Sequence, residues 1–222
     1  AAASTLAARV REALYGIADA LTEFQATTPP LRLTAPPTFA SRWLAPRLAR
    51  YAASSIEIDV SADLRDPCAF DVAIRTGRGG WPGLEEYRLT PVDATPMLAP
   101  SLLGTRLLDD ARALAGFELM PHPDWERWFA EAGCETPPDL RFAAVDYPTH
   151  ELDANAAVAG LGVALLSPSL FRPLLASGQL VAPFSCILSG PAWHFALVRA
   201  DDARLAPRQL CAWLHEQAQE AA

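Results

Sequence analysis

Residues 31–48 read LRLTAPPTFASRWLAPRL, a short alternating run from Leu31 to Thr34 that breaks at Pro36-Pro37 and turns at once into a tryptophan-bearing helical pattern. A strand, a tight turn and a helix start in succession make a ligand cradle, because the first amides of a helix lack intrahelical acceptors and carry partial positive charge. Thr38 stands where a hydroxyl can cap that helix. A carboxylate or another small anion is the ligand such a junction suits.

Outward from this stretch, the helix pattern runs from Phe39 to about Tyr51, and strands follow at IEIDV (56–60) and FDVAI (70–74). That is a βαβ start, which predicts a right-handed parallel sheet. The loop TGRGGWPG (76–83) leads into EEYRL (85–89), an extended segment. A second series begins with an extended stretch from Pro91 to Leu98, then a helix over about 124–132, strand RFAAV (141–145) and a helix over about 149–159. Strand GVALLS (162–167), a helix over about 168–176, the short strand LV (180–181) and strand WHFALVRA (193–200) follow, and Pro207 opens a last helix. On the N-terminal side, Leu6, Val10, Leu14, Ile17, Leu21 and Phe24 form one stripe on a helix of about six turns. Such a stripe needs a surface to cover it: either the chain's own body, or a partner helix, for which a second copy of the chain is the simplest source.

With 222 residues, 51% of them hydrophobic, the chain can bury a sizeable core. All 18 basic residues are arginines, spread singly, and the formal charge is −8. This stretch is therefore poorly suited to nucleic acid. The lack of lysine also excludes Walker A and Schiff-base chemistry. Four scattered cysteines without a CxxC motif fit a reducing cytosol. No apolar run approaches the ~20 residues that span a bilayer, so no membrane association is expected. The chain begins without methionine and reads as a fragment.

Five segments, PPTFASRWLAPRLARY (36–51), DVAIRTGRGGWPGL (71–84), DWERWFAEAG (124–133), ANAAVAGLGVALLSPSLF (154–171) and SGQLVAPF (177–184), together resemble the effector-binding domain of LysR-type transcriptional regulators. The tryptophan after the first loop, the WPG loop and the pair Trp125 and Trp128 are similar to the branch of glycine-cleavage activators and β-lactamase regulators. The resemblance implies an α/β fold of two Rossmann-like lobes, of the type II periplasmic-binding-protein kind, preceded by a linker helix. Residues 1–28 would be the end of that dimerising helix, 29–93 plus 196–222 lobe I, and 94–195 lobe II, with two crossover strands as hinge. DNA would be bound only through a winged helix-turn-helix absent from this chain. A homodimer or tetramer, a cytoplasmic location and a small-molecule effector follow from the same resemblance, with no cofactor.

In such a fold the ligand lies between the lobes, where helix N-termini converge. The expected ligand-binding set is Pro37, Thr38, Phe39, Arg75, Gly77, Ala99, Tyr147, Thr149, His150 and His194. Thr38 and Thr149 would supply donors from two facing helix starts, the bland alternative being plain N-caps. Arg75 would pair a carboxylate at the cleft edge, or else form a structural ion pair. His150 or His194 would make affinity sensitive to pH near neutrality, the bland alternative being that each is simply a satisfied polar residue. Trp43, Trp125 and Trp128 recur at helical spacing with leucine and phenylalanine and read as core.

Catalytic and metal motifs are weak. His150-Glu151-x-Asp153 lacks the second histidine of HExxH, no GxSxG is present, and Gly160-Leu161-Gly162 precedes a strand and reads as a helix stop. A solute-binding protein of a transporter shares the two-lobe architecture and is the alternative. An enzyme on this fold, such as a deaminase, would need a cleft histidine or carboxylate with a partner in proton-transfer reach.

Overall fold

The computed structural model describes residues 29–63, 66–105 and 108–220, together with positions 10 and 13–15. The expected linker helix thus lies mostly outside the described residues; at its described positions the backbone is helical and Val10, Leu14 and Tyr15 are exposed.

Strand β1 (Leu31–Ala35) lies between β2 (Ile56–Val60) and β3 (Val72–Gly77), parallel to both. The parallel start was legible because the connection between β1 and β2 is one helical run, as a parallel crossover requires. That run, α1, joins Pro37–Phe39, a π-helical turn Ala40–Leu44 and Ala45–Leu48. Pro46 accounts for the widened turn: proline cannot donate to the carbonyl of Arg42, and its ring would strike that carbonyl in a regular helix. The amide of Ala45 bonds instead to the carbonyl of Ala40, five residues back.

Strand β4 (Leu84–Met97) is continuous through the two extended segments read separately from the sequence. It runs antiparallel to the long strand β8 (Leu188–Arg199), whose other edge pairs with β3. The ladder between β4 and β8 loses register around Pro91, and two more residues separate the paired positions on β8 than on β4 between Pro91↔Trp193 and Asp93↔Ser189. Pro91 and Pro191 lack ladder donors, so the sheet yields there. Beyond the irregularity, β4 pairs with β7 (Ala164–Leu166), completing the order β2-β1-β3-β8-β4-β7. A second, two-stranded sheet holds β5 (Glu118–Leu119) and β6 (Arg141–Phe142), and a bridge between Leu119 and Val163 ties it to the first. Gly162 permits that tie, since a Cβ there would stand 2.6 Å from the Glu118 carbonyl oxygen.

The remaining helices are α2 (Pro100–Leu103), α3 (Trp125–Glu131), α4 (His150–Val158), α5 (Pro168–Ala176) and α6 (Leu205–Glu220). The last begins at Leu205, two residues before the expected Pro207. RFAAV forms only a two-residue strand, and position 181 is an isolated bridge to Leu98. Gly160 ends α4 with a φ of 75°, the left-handed stop expected of it.

Two buried clusters hold these elements. One contains Leu98, Leu119, Trp125, Trp128, Phe129 and Leu188. The other brings Leu33, Trp43 and Ile74 together with Leu166, Phe171 and Leu214, so α5 packs against the same core as α1. Trp43, Trp125 and Trp128 are all buried, as their helical spacing predicted. Among the described residues no helix is long and apolar enough to cross a membrane.

Candidate functional site

The starts of α1 and α4 meet across a cavity of about 710 Å³, floored by the irregular crossing of β4 and β8. Its wall includes Pro37, Thr38, Phe39, Tyr147, Thr149, His150 and His194 from the expected set. A volume of this size suits a small metabolite or a short peptide.

Thr38 is buried but does not cap α1. The cap position is Pro36, which offers no side-chain acceptor, and Thr38 sits one residue inside the first turn. The expected capping role is therefore corrected. Its hydroxyl forms no hydrogen bond among the described residues, leaving it available to the cavity it lines. Behind it the ring of Phe39 stacks on Trp43 at 4.9 Å between centroids and meets the His194 ring at 4.7 Å. Core packing thus fixes the backbone that carries Thr38.

Thr149 does cap α4, accepting from the amide of Leu152 at 3.4 Å. Helical spacing then brings the neighbouring groups together: His150 Nδ1 lies 3.3 Å from Asp153 Oδ2, one turn on. The ring of His150 faces that of His122 with centroids 5.1 Å apart. His122 accepts the amide of Asp124 on Nδ1, so its neutral form carries the proton on Nε2. Burial, with His150 nearby, lowers its pKa to about 4. Sequence reading missed His122 because nothing in Pro-His-Pro-Asp marks a site.

His194 is 8% exposed, contacts the Thr90 hydroxyl through Nδ1 at 3.1 Å, and is lowered to about 4 chiefly by burial. It stays neutral near pH 7, so its expected role as a switch near neutrality does not hold. Asp93 also lines the cavity; burial raises its pKa against the opposing hydrogen bonds from Ser167 and Ser169.

Arg75, Gly77 and Ala99 are not on this wall. Arg75 faces a smaller pocket with Thr34, Asp71 and Trp81, and donates to the carbonyls of Ile74 and Asp63 and to Thr34 Oγ1. Gly77 lies under Trp81, whose Cζ2 would be 2.5 Å from a Cβ there. Strand alternation explains both: neighbouring residues of β3 face opposite sides, and it is Thr76 and then Arg78 that reach the cavity. A shift of one residue in the reading would have found them. Ala99 is buried at the start of α2, where its carbonyl accepts the amides of Leu102 and Leu103.

One connection bridges the two helix starts. Arg42 grips Glu151 with Nε and Nη2, both at 2.6 Å, and Ser41 adds a bond of 3.1 Å to the same carboxylate. The charges facing the cavity divide unevenly. Arg127 is engaged by Asp124 at 2.6 Å, whereas Arg78 has no ion-pair partner among the described residues. Among the described residues no group of three or more histidine, cysteine or acidic side chains is placed to hold a metal ion.

Comparison with known proteins identifies the fold. Residues 25–219 match the model of the LysR substrate binding domain. The chain is 33% identical over 196 residues to the HTH-type transcriptional activator AmpR of Rhodobacter capsulatus, covering 82% of this chain and 65% of that protein. It is 30% identical over 192 residues to the glycine cleavage system transcriptional activator of Escherichia coli, covering 81% of this chain and 62% of that one. It thus spans less than two thirds of either relative. The effector domain of AmpR of Pseudomonas aeruginosa superposes with a TM-score of 0.73 at 26% identity, over 87% of this chain and 97% of that domain. The fold is that of LysR effector domains, a mixed α/β arrangement of the type II periplasmic-binding-protein kind. The chain belongs to the LysR substrate binding domain family.

Proposed function

We propose that this chain is the sensing part of a cytoplasmic transcription regulator and binds a small metabolite with an anionic group in the cavity between α1 and α4. The observation that carries this reading is the unengaged Thr38 hydroxyl at the start of a helix with no acidic residue in its first turn, beside the cavity that Arg78 also lines. Helix amides, a hydroxyl and a guanidinium are the donors that an anion requires.

Occupancy acts through a difference in affinity between two arrangements of the domain. The Arg42–Glu151 pair spans the two helix starts, so a ligand that changes their separation must strain or favour that contact. In the full regulator the change passes to partner subunits in a homodimer or tetramer, and through the linker helix to a DNA-binding domain.

The His150–Asp153 contact is the kind of pair an enzyme could use. The matches to transcriptional activators favour binding over turnover. Calorimetric and thermal-shift screens with amino acids, cell-wall peptide fragments and small organic acids test the sensing role. Saturable binding without consumption of the ligand is the expected result; no binder at saturating concentrations would remove the role.

A further inference from the structure

The two ends of the cavity differ in what they lack. At the α1 end the Thr38 hydroxyl waits for an acceptor or a donor, and the first helical turn holds no carboxylate. At the α4 end Asp153 is 6% exposed, lines the cavity, and leaves Oδ1 without any hydrogen bond among the described residues. Its other oxygen is already held by His150. A buried carboxylate oxygen without a donor is destabilising in the protein on its own, and the deficit is removed by a bound group that brings donors and positive charge.

The surroundings favour a cation over a neutral donor. His122 and His150 form the local lining with Asp153, and His122 is uncharged near pH 7 because burial holds its pKa at about 4. Asp146 and Asp93 line the same cavity; of its two arginines, Arg127 is occupied by Asp124, and Arg78 is left for the anionic group. Glu151, the other acid in the first turn of α4, is engaged by Arg42 and Ser41, which leaves Asp153 as the first-turn carboxylate with acceptor capacity to spare.

Resting on the sensing role proposed above, we infer that the effector carries a protonated amine as well as its anionic group, with the ammonium received by Asp153 and the anion held near Thr38. A zwitterion of amino-acid or short-peptide type has this chemistry, and the cavity of about 710 Å³ has room for more than a single small amino acid. Binding requires the Asp153 side chain to turn so that Oδ1, closed off from solvent here, meets the amine.

The test is a thermal-shift and calorimetric comparison of the common L-amino acids and a set of dipeptides with their N-acetylated counterparts, on the wild-type chain and on Asp153→Asn. Amine-bearing probes should bind, their acetylated forms should bind about tenfold or more weakly, and Asp153→Asn should erase that difference. Asp153→Asn keeps the shape of the side chain, and its folding is checked by thermal melting; should it misfold, Asp153→Ser serves in its place. Equal binding of acetylated probes, or an undiminished preference for the amine in the variant, would overturn the inference. If small organic acids bind while every amine-bearing probe fails, the inference falls and the sensing role stands. If none of the probes or acids binds, both fall.

Discussion

The two walls of the cavity share one apolar core but lean on it to different degrees. The α1 wall is positioned by apolar packing: Phe39, Trp43 and Leu44 are almost wholly buried, and the arginine side chain of Arg47 covers the outer face of Trp43 at 4.3 Å. The α4 wall seats only small side chains, Ala154, Ala156 and Ala157, in the same core, and polar groups add the rest of its hold: the Thr149 cap, the grip of Arg42 on Glu151 and the contact of His150 with Asp153. Apolar packing tolerates little movement, since each displaced atom forfeits close contacts. Hydrogen bonds at partly exposed sites can instead be exchanged for bonds to water or ligand at small net cost. On the proposed sensing role, the difference would make α1 the fixed reference and α4 the wall that responds to a ligand.

Four changes would break or sharpen this contrast, in descending order of effect. Trp43→Ala removes the side chain on which the α1 wall rests, and should lower stability by about 3–5 kcal/mol in urea unfolding. A loss below about 1 kcal/mol would show that α1 does not depend on its core.

Acidification is the next largest. The folded pKa of His194 lies near 4, below its ordinary value of about 6.5, so the unfolded chain binds the proton more readily. The stability contributed by neutral His194 is complete above about pH 6.5 and declines as the pH falls toward 4. Between pH 7 and pH 5 the loss from this residue should be roughly 2 kcal/mol, and His194→Gln should reduce the slope of urea midpoint against pH in that window. An unchanged slope would mean that His194 is not held neutral.

Glu151→Ala strips the α4 wall of its bridge to α1. Side-chain exposures of 19% and 27% for Arg42 and Glu151 place the pair between surface and core, and roughly 1–2 kcal/mol should be lost. Faster amide hydrogen exchange should appear in α4 and not in α1. Equal acceleration in both helices would erase the distinction between the walls.

Thr38→Val is the mildest. Because the threonine caps nothing, its replacement by a side chain of the same shape should change stability by no more than about 0.5 kcal/mol. Affinity for an anionic effector should fall about two- to tenfold by calorimetry, the scale of one lost hydrogen bond. Wild-type affinity in the folded variant would remove Thr38 from the site.

The same contrast governs what could be read from the sequence. The α1 wall was legible because strand, proline turn and periodic aromatic residues are local signals, and they located β1, the following helix and the buried tryptophans. Thr38 was misread as a cap because the helix begins one turn-forming proline earlier, at Pro37. Arg75 and Gly77 were assigned to the wrong face of β3, an error of one residue in a period of two. The long strands β4 and β8 were read as shorter pieces because prolines interrupt the pattern, whereas in the fold those prolines mark the bend beneath the cavity. His122 and Asp93 gave no local sign at all. They reach the site from a loop and from the irregular ladder, and only the crossing of distant segments makes them neighbours of α1 and α4.

The most direct test of a sensing cavity between α1 and α4 is a crystal structure of the chain with the metabolite that gives the largest thermal shift. The ligand should lie between α1 and α4, with its anionic group at the Thr38 hydroxyl and within reach of Arg78. Ligand bound instead in the smaller pocket beside Thr34 and Arg75, or on the outer surface, would contradict it.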